Sequence, residues 1–502
     1  MKFLSMQFNL PFGKKCLKLY TYIEIVLAVI ATALFLAFAG AQSMWVDELY
    51  WSWDKVIYGS FVDISKQLVF DGYNMPLYYW LIAPWFRVAP WGEFWLLLPS
   101  IAFTLAGFFA VKLAATEIAG RDAGFIAFCY AVSSTCVFRD TAFGVRPYSL
   151  YFLMTALTLY FFVRRLKEEN TKNIVLYGIL MALLCYTHWF GGLLVVFYAL
   201  TDLALCTAKK VRFRCIVSYV IAGILVLPWL VLVLLYRQID VTSYWGAVPG
   251  NIAIEVVKTI NFIMGNPIAG LILIYSGLIV VGIFAYNARK HAKGFDILFY
   301  CALCCVWLIG VPYCYSRFIN TNGSVFVFRY FIAIIPHAFL IASVGTIAVY
   351  NVVSRRFFKL KTAATILLVL VLAVNGVWNW YKQLSFEKLI FQPMREVAEL
   401  LKDDKDAYSE KSLVVGDAIY KAWTDYYFER RGFNVPPNIV NQENISGADL
   451  LIYDKIYVCQ FHNSIDEGFL SFIEANYSLE STYYHFNGSN INKNGLGVYV
   501  RR

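Results

Sequence analysis

Apolar stretches long enough to cross a bilayer recur along this chain, starting with the one from Tyr20 to Ala41. A run of about 20 apolar residues is at home in the hydrocarbon core of a membrane, where a helix satisfies its own backbone polar groups. The 502 residues are 60% hydrophobic and only 15% charged, with a mean hydropathy of +0.59. No soluble domain of this length needs so much apolar surface. The fold class is therefore an α-helical polytopic membrane protein. The first stretch is too long for the apolar region of a secretory signal and no cleavage site follows it, so it reads as a retained transmembrane helix.

Counting at about 20 residues per span predicts about eleven helices. After the first they fall near 94–117, 123–139, 147–163, 174–187, 189–206, 215–236, 267–287, 295–316, 329–349 and 362–381. Basic clusters occupy alternate connections: Lys14, Lys15 and Lys18; Arg164, Arg165 and Lys167; Lys209, Lys210, Arg212 and Arg214; Arg289, Lys290 and Lys293; Arg355, Arg356, Lys359 and Lys361. The positive-inside rule makes all of these cytoplasmic. The net charge of +10 then reflects membrane orientation, and no nucleic-acid partner is implied. An odd number of spans puts the N-terminus in the cytoplasm and the tail outside. In a bacterium this means an integral protein of the inner (cell) membrane with a periplasmic or extracellular C-terminal domain.

Most of the 11 cysteines lie inside expected spans, and Cys301, Cys304 and Cys305 follow helical spacing that suits packing better than a metal. The composition changes near Leu384. Residues 1–383 thus form the transmembrane part with its outer loops, and 384–502 a small extracytoplasmic α/β domain. Its expected elements are a helix at Arg395–Lys402, a strand at Ser412–Val415, a helix at Ile419–Arg430, a strand at Leu450–Cys459, a helix near Ile465–Asn476 and a strand at Gly495–Val500. It has no Gly-rich phosphate loop, metal-spaced cluster or nucleophile motif. It reads as a lid or recognition domain.

The outer segments carry polar residues that apolar helices do not need. Asp47 and Glu48 follow the first span, among Trp45, Tyr50, Trp51 and Trp53, side chains that favour the membrane boundary. A carboxylate held there is suited to general-base work. The next segment, Asp71-Gly72-Tyr73-Asn74-Met75-Pro76-Leu77-Tyr78-Tyr79-Trp80, runs from a polar turn into an aromatic half-helix, with Pro76 in its first turn. It presents Asp71, Asn74 and Tyr78. The stretch from Phe138 to Tyr148 holds Arg139, Asp140, Arg146 and Tyr148. Its arginines either snorkel to lipid headgroups or bind a phosphate, which a guanidinium matches bidentately. His188 is one of five histidines and breaks an apolar hairpin, while Arg329 and Tyr330 open the tenth expected span. Acids, amides and arginines on one side of a large apolar body fit an enzyme using a lipid-linked phosphate.

Asp47-Glu48, the MPLYYW stretch at 75–80, RPYSL at 146–150, YTHWFG at 186–191 and, more loosely, RYFIAIIP at 329–336 together resemble the GT-C type membrane glycosyltransferases. The likeness is to the protein O-mannosyltransferase and aminoarabinose-transferase-like group and covers essentially the whole chain. Each motif alone is weak; their order and placement are more specific. The resemblance implies a polyprenyl-phosphate-linked sugar donor, membrane lipids as surroundings, and a lipid, glycan or protein acceptor outside the cytoplasm. It implies inversion at the sugar, with Asp47 as the base on the acceptor hydroxyl and Glu48 positioning the acceptor. Arg146 and Arg329 would hold the donor phosphate.

Two departures stand out. Where many relatives carry His or Glu with paired prolines, this chain has Tyr73-Asn74-Met75-Pro76. Asn74 is a poor zinc ligand, so the sequence assigns no cofactor and does not support a divalent metal. The acid often found three residues before the Arg-Pro-Tyr step is Phe143 here, with Asp140 nearby. Readings from other classes are a lipid or polysaccharide transporter or flippase, and a silent scaffold of the same fold. The transporter reading calls for paired repeats and ionisable groups at the bilayer midplane, and the sequence shows neither.

Overall fold

Apolar runs become helices here, as a lipid environment demands. The computed structural model describes residues 16–207, 215–238, 247–289, 296–320, 323–356, 372–382, 384, 392–416, 420–445, 447–461, 466–484, 486 and 494–502. Lys14, Lys15, Lys209, Lys210, Arg212, Arg214, Lys290, Lys293, Lys359 and Lys361, together with 362–371 of the expected last span, lie outside the described residues. The helices up to residue 382 are α1 (Cys16–Phe38), α2 (Lys55–Ile57), α3 (Phe61–Asp71), α4 (Leu77–Val88), α5 (Glu93–Ala119), α6 (Arg121–Ser133), α7 (Tyr148–Lys167), α8 (Thr171–Cys185), α9 (Trp189–Thr207), α10 (Ile216–Tyr236), α11 (Ile252–Met264), α12 (Pro267–Arg289), α13 (Asp296–Cys314), α14 (Ile335–Arg356) and α15 (372–382).

Two compact units divide the chain. The first comprises Met1–Leu36, Phe61–Leu81 and Leu98–Gln383; the second comprises Ala37–Ser60, Ile82–Leu97 and Leu384–Arg502. The second unit therefore joins the tail to two stretches from the first 97 residues.

In the first unit, α14 is the central helix. In the apolar 18-residue core of Phe328–Val353, 83% of the residues are buried, against 17% in that of Lys18–Phe38, so α1 leaves most of its surface for lipid. α14 packs on α6, α12 and α13, and α8 packs between α7 and α10. Small residues allow these approaches: a Cβ on Gly178 of α8 would stand 2.8 Å from the Ser218 carbonyl oxygen of α10.

Among the described residues, six helices are long and apolar enough to cross a membrane, or seven if the pair Ile252–Met264 and Ala269–Gly282, bent by 109°, counts as one. That is fewer than the eleven expected. The apolar runs at 123–139 and 174–187 fold as α6, of 13 residues, and α8, of 15 residues. At 1.5 Å per residue, α8 reaches about 22 Å, short of the roughly 30 Å hydrocarbon core. α7 buries Ser149, Thr155 and Thr158 among neighbouring helices and ends on its basic cluster. Apolar surface spent on protein and apolar surface spent on lipid look alike in a sequence.

One member of a basic cluster serves a different purpose from the orientation signal. Arg165 of α7 is fully buried and ion-paired to Asp202 of α9. The same carboxylate accepts the Tyr219 hydroxyl of α10 at 2.6 Å, and the guanidinium lies 4.3 Å from the Tyr177 ring of α8. Four helices are bolted at this point. Breaking a buried pair by removing one partner costs about 3–5 kcal/mol, because the other charge stays buried. Arg165→Met is accordingly expected to lower the melting temperature in detergent, and adding Asp202→Asn to it to recover part of the loss, as thermal melts of the three proteins will show.

In the second unit, the tail forms a five-stranded sheet of order β2-β1-β3-β5-β4, with β1 at Ser412–Gly416, β2 at Ile439–Asn441, β3 at Lys455–Gln460, β4 at Tyr477–Tyr484 and β5 at Gly495–Arg501. β1 runs parallel to β2 and β3, while β5 runs antiparallel to β3 and β4. Leu413, Val415, Ile456 and Val458 pack with Phe469 and Ile473 from the helix Glu467–Asn476. The helices Met394–Asp403 and Tyr420–Tyr427 match two expected elements closely. The strand expected from Leu450 begins at Lys455, because Gly447–Leu450 is a helical turn. β2 has only three residues and β4 is mostly exposed along its length, so neither shows the alternation of a half-buried strand.

Candidate functional site

In the first unit, the polar turn before α4 and the loop before α7 meet. Tyr79 is fully buried on α4 and its hydroxyl donates to Asn74 Oδ1 at 3.0 Å. Arg146 directs Nη2 to the same oxygen and Nη1 to the Tyr79 hydroxyl, both at 3.5 Å. Arg146 is only 7% exposed, which rules out snorkelling to headgroups. Arg139, by contrast, is exposed.

Tyr78, expected among the binding residues, is buried about 100° around the helix from Tyr79 and meets the Ser100 hydroxyl of α5 at 3.0 Å. Ser100 in turn donates to the Gly144 carbonyl at 2.8 Å. This relay braces α4 and α5 on the loop that delivers Arg146. Two further bonds hold the start of α4 to the turn between α8 and α9: Leu77 N–H to the Tyr186 carbonyl at 2.9 Å, and Trp189 Nε1 to the Gly72 carbonyl at 3.1 Å. Gly72 sits at φ 65°, a left-handed conformation that glycine takes without strain. Asp71 is the last residue of α3 and is half-buried.

His188 lies on that α8–α9 turn in an aromatic surround. Its ring stacks on Tyr151 with centroids 4.7 Å apart, tilts against Tyr330 at 4.9 Å, and has Tyr148 at 5.9 Å and Phe190 at 5.8 Å. The Phe190 N–H donates to Nδ1 at 3.2 Å, so the hydrogen of the neutral ring is on Nε2. Burial, then the nearby charges of Arg146 and Arg329, push the imidazole from 6.5 down to about 3. His188 is thus a neutral ring under the influence of two cations, with a hydrogen to donate at Nε2 and a face stacked on Tyr151.

Arg329, on the 3-10 turn Phe328–Ile334, also acts on Asp140. The Asp140 carboxyl is raised by burial, against the opposing pull of Arg139 and Arg329, and among the described residues its Oδ2 has no hydrogen-bond partner. Asp140 lies in a π-helical turn, Val137–Ala142, a distortion frequent at functional sites. The first unit thus brings Asn74, Arg146, Tyr148, His188, Arg329, Tyr330 and Asp140 into one neighbourhood, with Tyr79 and Tyr151 added.

The acidic pair belongs to the second unit. A helical turn begins at Val46 and becomes π-helical over Glu48–Asp54. The two carboxylates part company there. Glu48 is 3% exposed, and its Oε2 accepts the Trp45 N–H at 3.1 Å, the reciprocal half of a capping box. Asp47 is half-buried and its side chain makes no cap bond. Trp53, expected at the membrane boundary, is instead 2% exposed. It stands 5.2 Å from Trp91 and 4.9 Å from Tyr426, with Nε1 donating to Asp425 at 2.8 Å.

No protein-family model matches this sequence, and neither does any curated protein. Solved structures do match. ArnT from Cupriavidus metallidurans bound to undecaprenyl phosphate aligns with a TM-score of 0.53 at 12% identity, over 97% of this chain and 98% of that one. The same protein in the apo state aligns with a TM-score of 0.53 at 12% identity, over 95% and 98%. The fold is of the GT-C type. A looser likeness, with a TM-score of 0.48 at 11% identity over 96% of this chain and 74% of that one, extends to the oligosaccharyltransferase AglB from Archaeoglobus fulgidus in complex with an inhibitory peptide and a dolichol-phosphate. At such identities the likeness concerns fold, and the residues carry the chemistry.

Among the described residues, no group of three or more His, Cys, Asp and Glu side chains could hold a metal ion, and Asn74 is occupied by Tyr79 and Arg146.

The sequence pointed to Arg146 and His188 but missed Tyr79 and Tyr151. Only the helical phase of the adjacent tyrosines could have separated Tyr79 from Tyr78. The depressed His188 basicity has a consequence for stability. Between about pH 6.5 and 3 the unfolded chain binds a proton that the folded chain does not, so stability falls as pH drops through this window. His188→Gln lacks that component, and its melting temperature is expected to fall less than that of the wild type between about pH 7 and pH 4, measured side by side.

Proposed function

We propose that this integral membrane protein is an inverting glycosyltransferase that moves a sugar from a polyprenyl-phosphate donor to an acceptor outside the cytoplasm. The carrying observation is the buried Arg146, set with Arg329 around the neutral His188. Such a pair of cations suits an anion that gains charge as a bond breaks. Undecaprenyl phosphate bound to a protein of the same fold supports a polyprenyl phosphate as that anion. The aromatic surround of Tyr148, Tyr151 and Tyr330 offers ring faces to a sugar or an isoprenoid chain.

The reaction is a single displacement. The acceptor hydroxyl oxygen attacks the anomeric carbon from the face opposite the phosphate, and its proton passes to Asp47. The bond from the anomeric carbon to the phosphate oxygen breaks, and both electrons leave with the polyprenyl phosphate, whose new charge Arg146 and Arg329 stabilise. His188 donates through Nε2. A phosphate is already a competent leaving group, so a base and cations suffice. Glu48 is held to the Trp45 N–H, which supports Asp47 as the base and leaves Glu48 to order the turn. Asp71 and Asn74 border the donor side, and Asp140 sits under the charges of Arg139 and Arg329. The outer face is the periplasm in a bacterium.

Mass spectrometry of envelope lipids, glycans and proteins from cells with and without the protein tests this reading. Loss of the protein is expected to leave a polyprenyl-phosphate sugar accumulated and an acceptor one residue short. If neither changes, the transferase reading is wrong. Asp47→Asn should reduce transfer by about 10²–10⁴-fold, the usual worth of a positioned base. Arg146→Ala should reduce it by about 10²-fold or more and should also weaken binding of undecaprenyl phosphate, which Asp47→Asn should leave intact.

A further inference from the structure

The backbone just ahead of Asp47 is held with unusual completeness. A helix start leaves its first N–H groups without intrahelical partners, and here three successive donors each meet a side-chain acceptor. Met44 N–H reaches the Tyr427 hydroxyl at 2.9 Å, Trp45 N–H reaches Glu48 Oε2 at 3.1 Å, and Val46 N–H reaches Gln392 Oε1 at 2.8 Å. Two of the three acceptors come from the C-terminal tail, more than 340 residues away in sequence. The Ser43 hydroxyl also donates to the Gln392 carbonyl.

The anchors are themselves anchored. The Tyr427 hydroxyl, accepting from Met44, donates to Glu93 Oε1 at 3.1 Å. Burial raises the Tyr427 phenol well above its ordinary value, so this proton is retained over the whole working pH range. Glu93 lies 3.8 Å from Arg395, and Arg395 donates to the carbonyls of Gly40 at 2.7 Å and Ala41 at 3.1 Å. Met44 and Val46 are 1% and 7% exposed, so a donor deprived of its partner finds no water to replace it.

We propose that Gln392 and Tyr427 are positioning residues for Asp47, and that the C-terminal domain thereby sets the geometry of the base in addition to any recognition it performs. This rests on the reading of Asp47 as the base. Neither residue touches substrate in this account. They pin the N–H groups on either side of Trp45, which fixes the turn from which the Asp47 carboxylate projects. A displacement of about 1 Å in a catalytic group can cost about 10²-fold in rate.

The test uses the full-length protein carrying Tyr427→Phe, Gln392→Leu or Gln392→Glu, the last retaining an acceptor oxygen for Val46. Amide hydrogen exchange, read by mass spectrometry on peptides covering Ser43–Glu48, is expected to accelerate about tenfold in Tyr427→Phe and Gln392→Leu. Exchange in the β1 and β3 strands should stay as in the wild type, and Gln392→Glu should restore the slow exchange. In cells, the ratio of polyprenyl-phosphate sugar to free polyprenyl phosphate should rise for Tyr427→Phe and Gln392→Leu and return towards wild type for Gln392→Glu. Unchanged exchange at Ser43–Glu48 in both disrupting variants would overturn the proposal. So would faster exchange with a wild-type lipid ratio in a protein that Asp47→Asn inactivates. If Asp47→Asn proves fully active, the base assignment fails by itself, and the exchange data still decide whether the tail holds this turn.

Discussion

Two guanidinium charges acting on one imidazole organise the polar part of the first unit. Arg146 is buried with the Asn74 oxygen and the Tyr79 hydroxyl as neighbours, and Arg329 adds its charge at His188. A buried cation is costly unless its surroundings are polar and fixed. The bonds around it supply both conditions: Tyr78 to Ser100 to Gly144 on one side, and Leu77 to Tyr186 on the other. On the proposed reading such a site is preorganised for the donor phosphate, since its dipoles need not reorient when charge arrives. The His188 ring is kept neutral by burial first and by the same charges second.

The second unit solves a different problem. Asp47 lies on a short turn that could not hold its own geometry, because a helix of a few residues is marginal by itself. Tertiary bonds replace what length would have provided. Gln392 and Tyr427 reach it from the tail, and Trp53 is lodged against Trp91 and Tyr426. The sheet of the tail is a rigid base for these contacts, with β1 and β3 buried along nearly their whole length.

How far the sequence could be read differed by element. Helices α5, α9, α10 and α13 lie within a few residues of their expected bounds, since long apolar runs leave no alternative. The tail's β1 and β5 were legible as short apolar strands between turn signals. β4 was not, because its side chains are mostly solvent-exposed. Arg146 and His188 were visible as polar residues with no structural reason to be there. Tyr79 hid beside Tyr78 in one motif, and Gln392 and Tyr427 carried no local signal at all. Arg165 looked like one more cytoplasmic charge and is a buried bolt between helices.

By itself, the sequence determined that this chain is a helical membrane protein with a small α/β tail, because apolar length and charge content are local properties that lipid and water read directly. It also placed a carboxylate pair and several arginines in polar segments between apolar helices. Tertiary structure alone decided which of those groups act together. It divided Asp47 from Glu48 by engaging one carboxylate in capping, buried Arg146 while leaving Arg139 exposed, and brought the tail to the turn that carries Asp47. Those outcomes depend on contacts between residues far apart in the chain, where burial and hydrogen bonding are set by neighbours that no local pattern names.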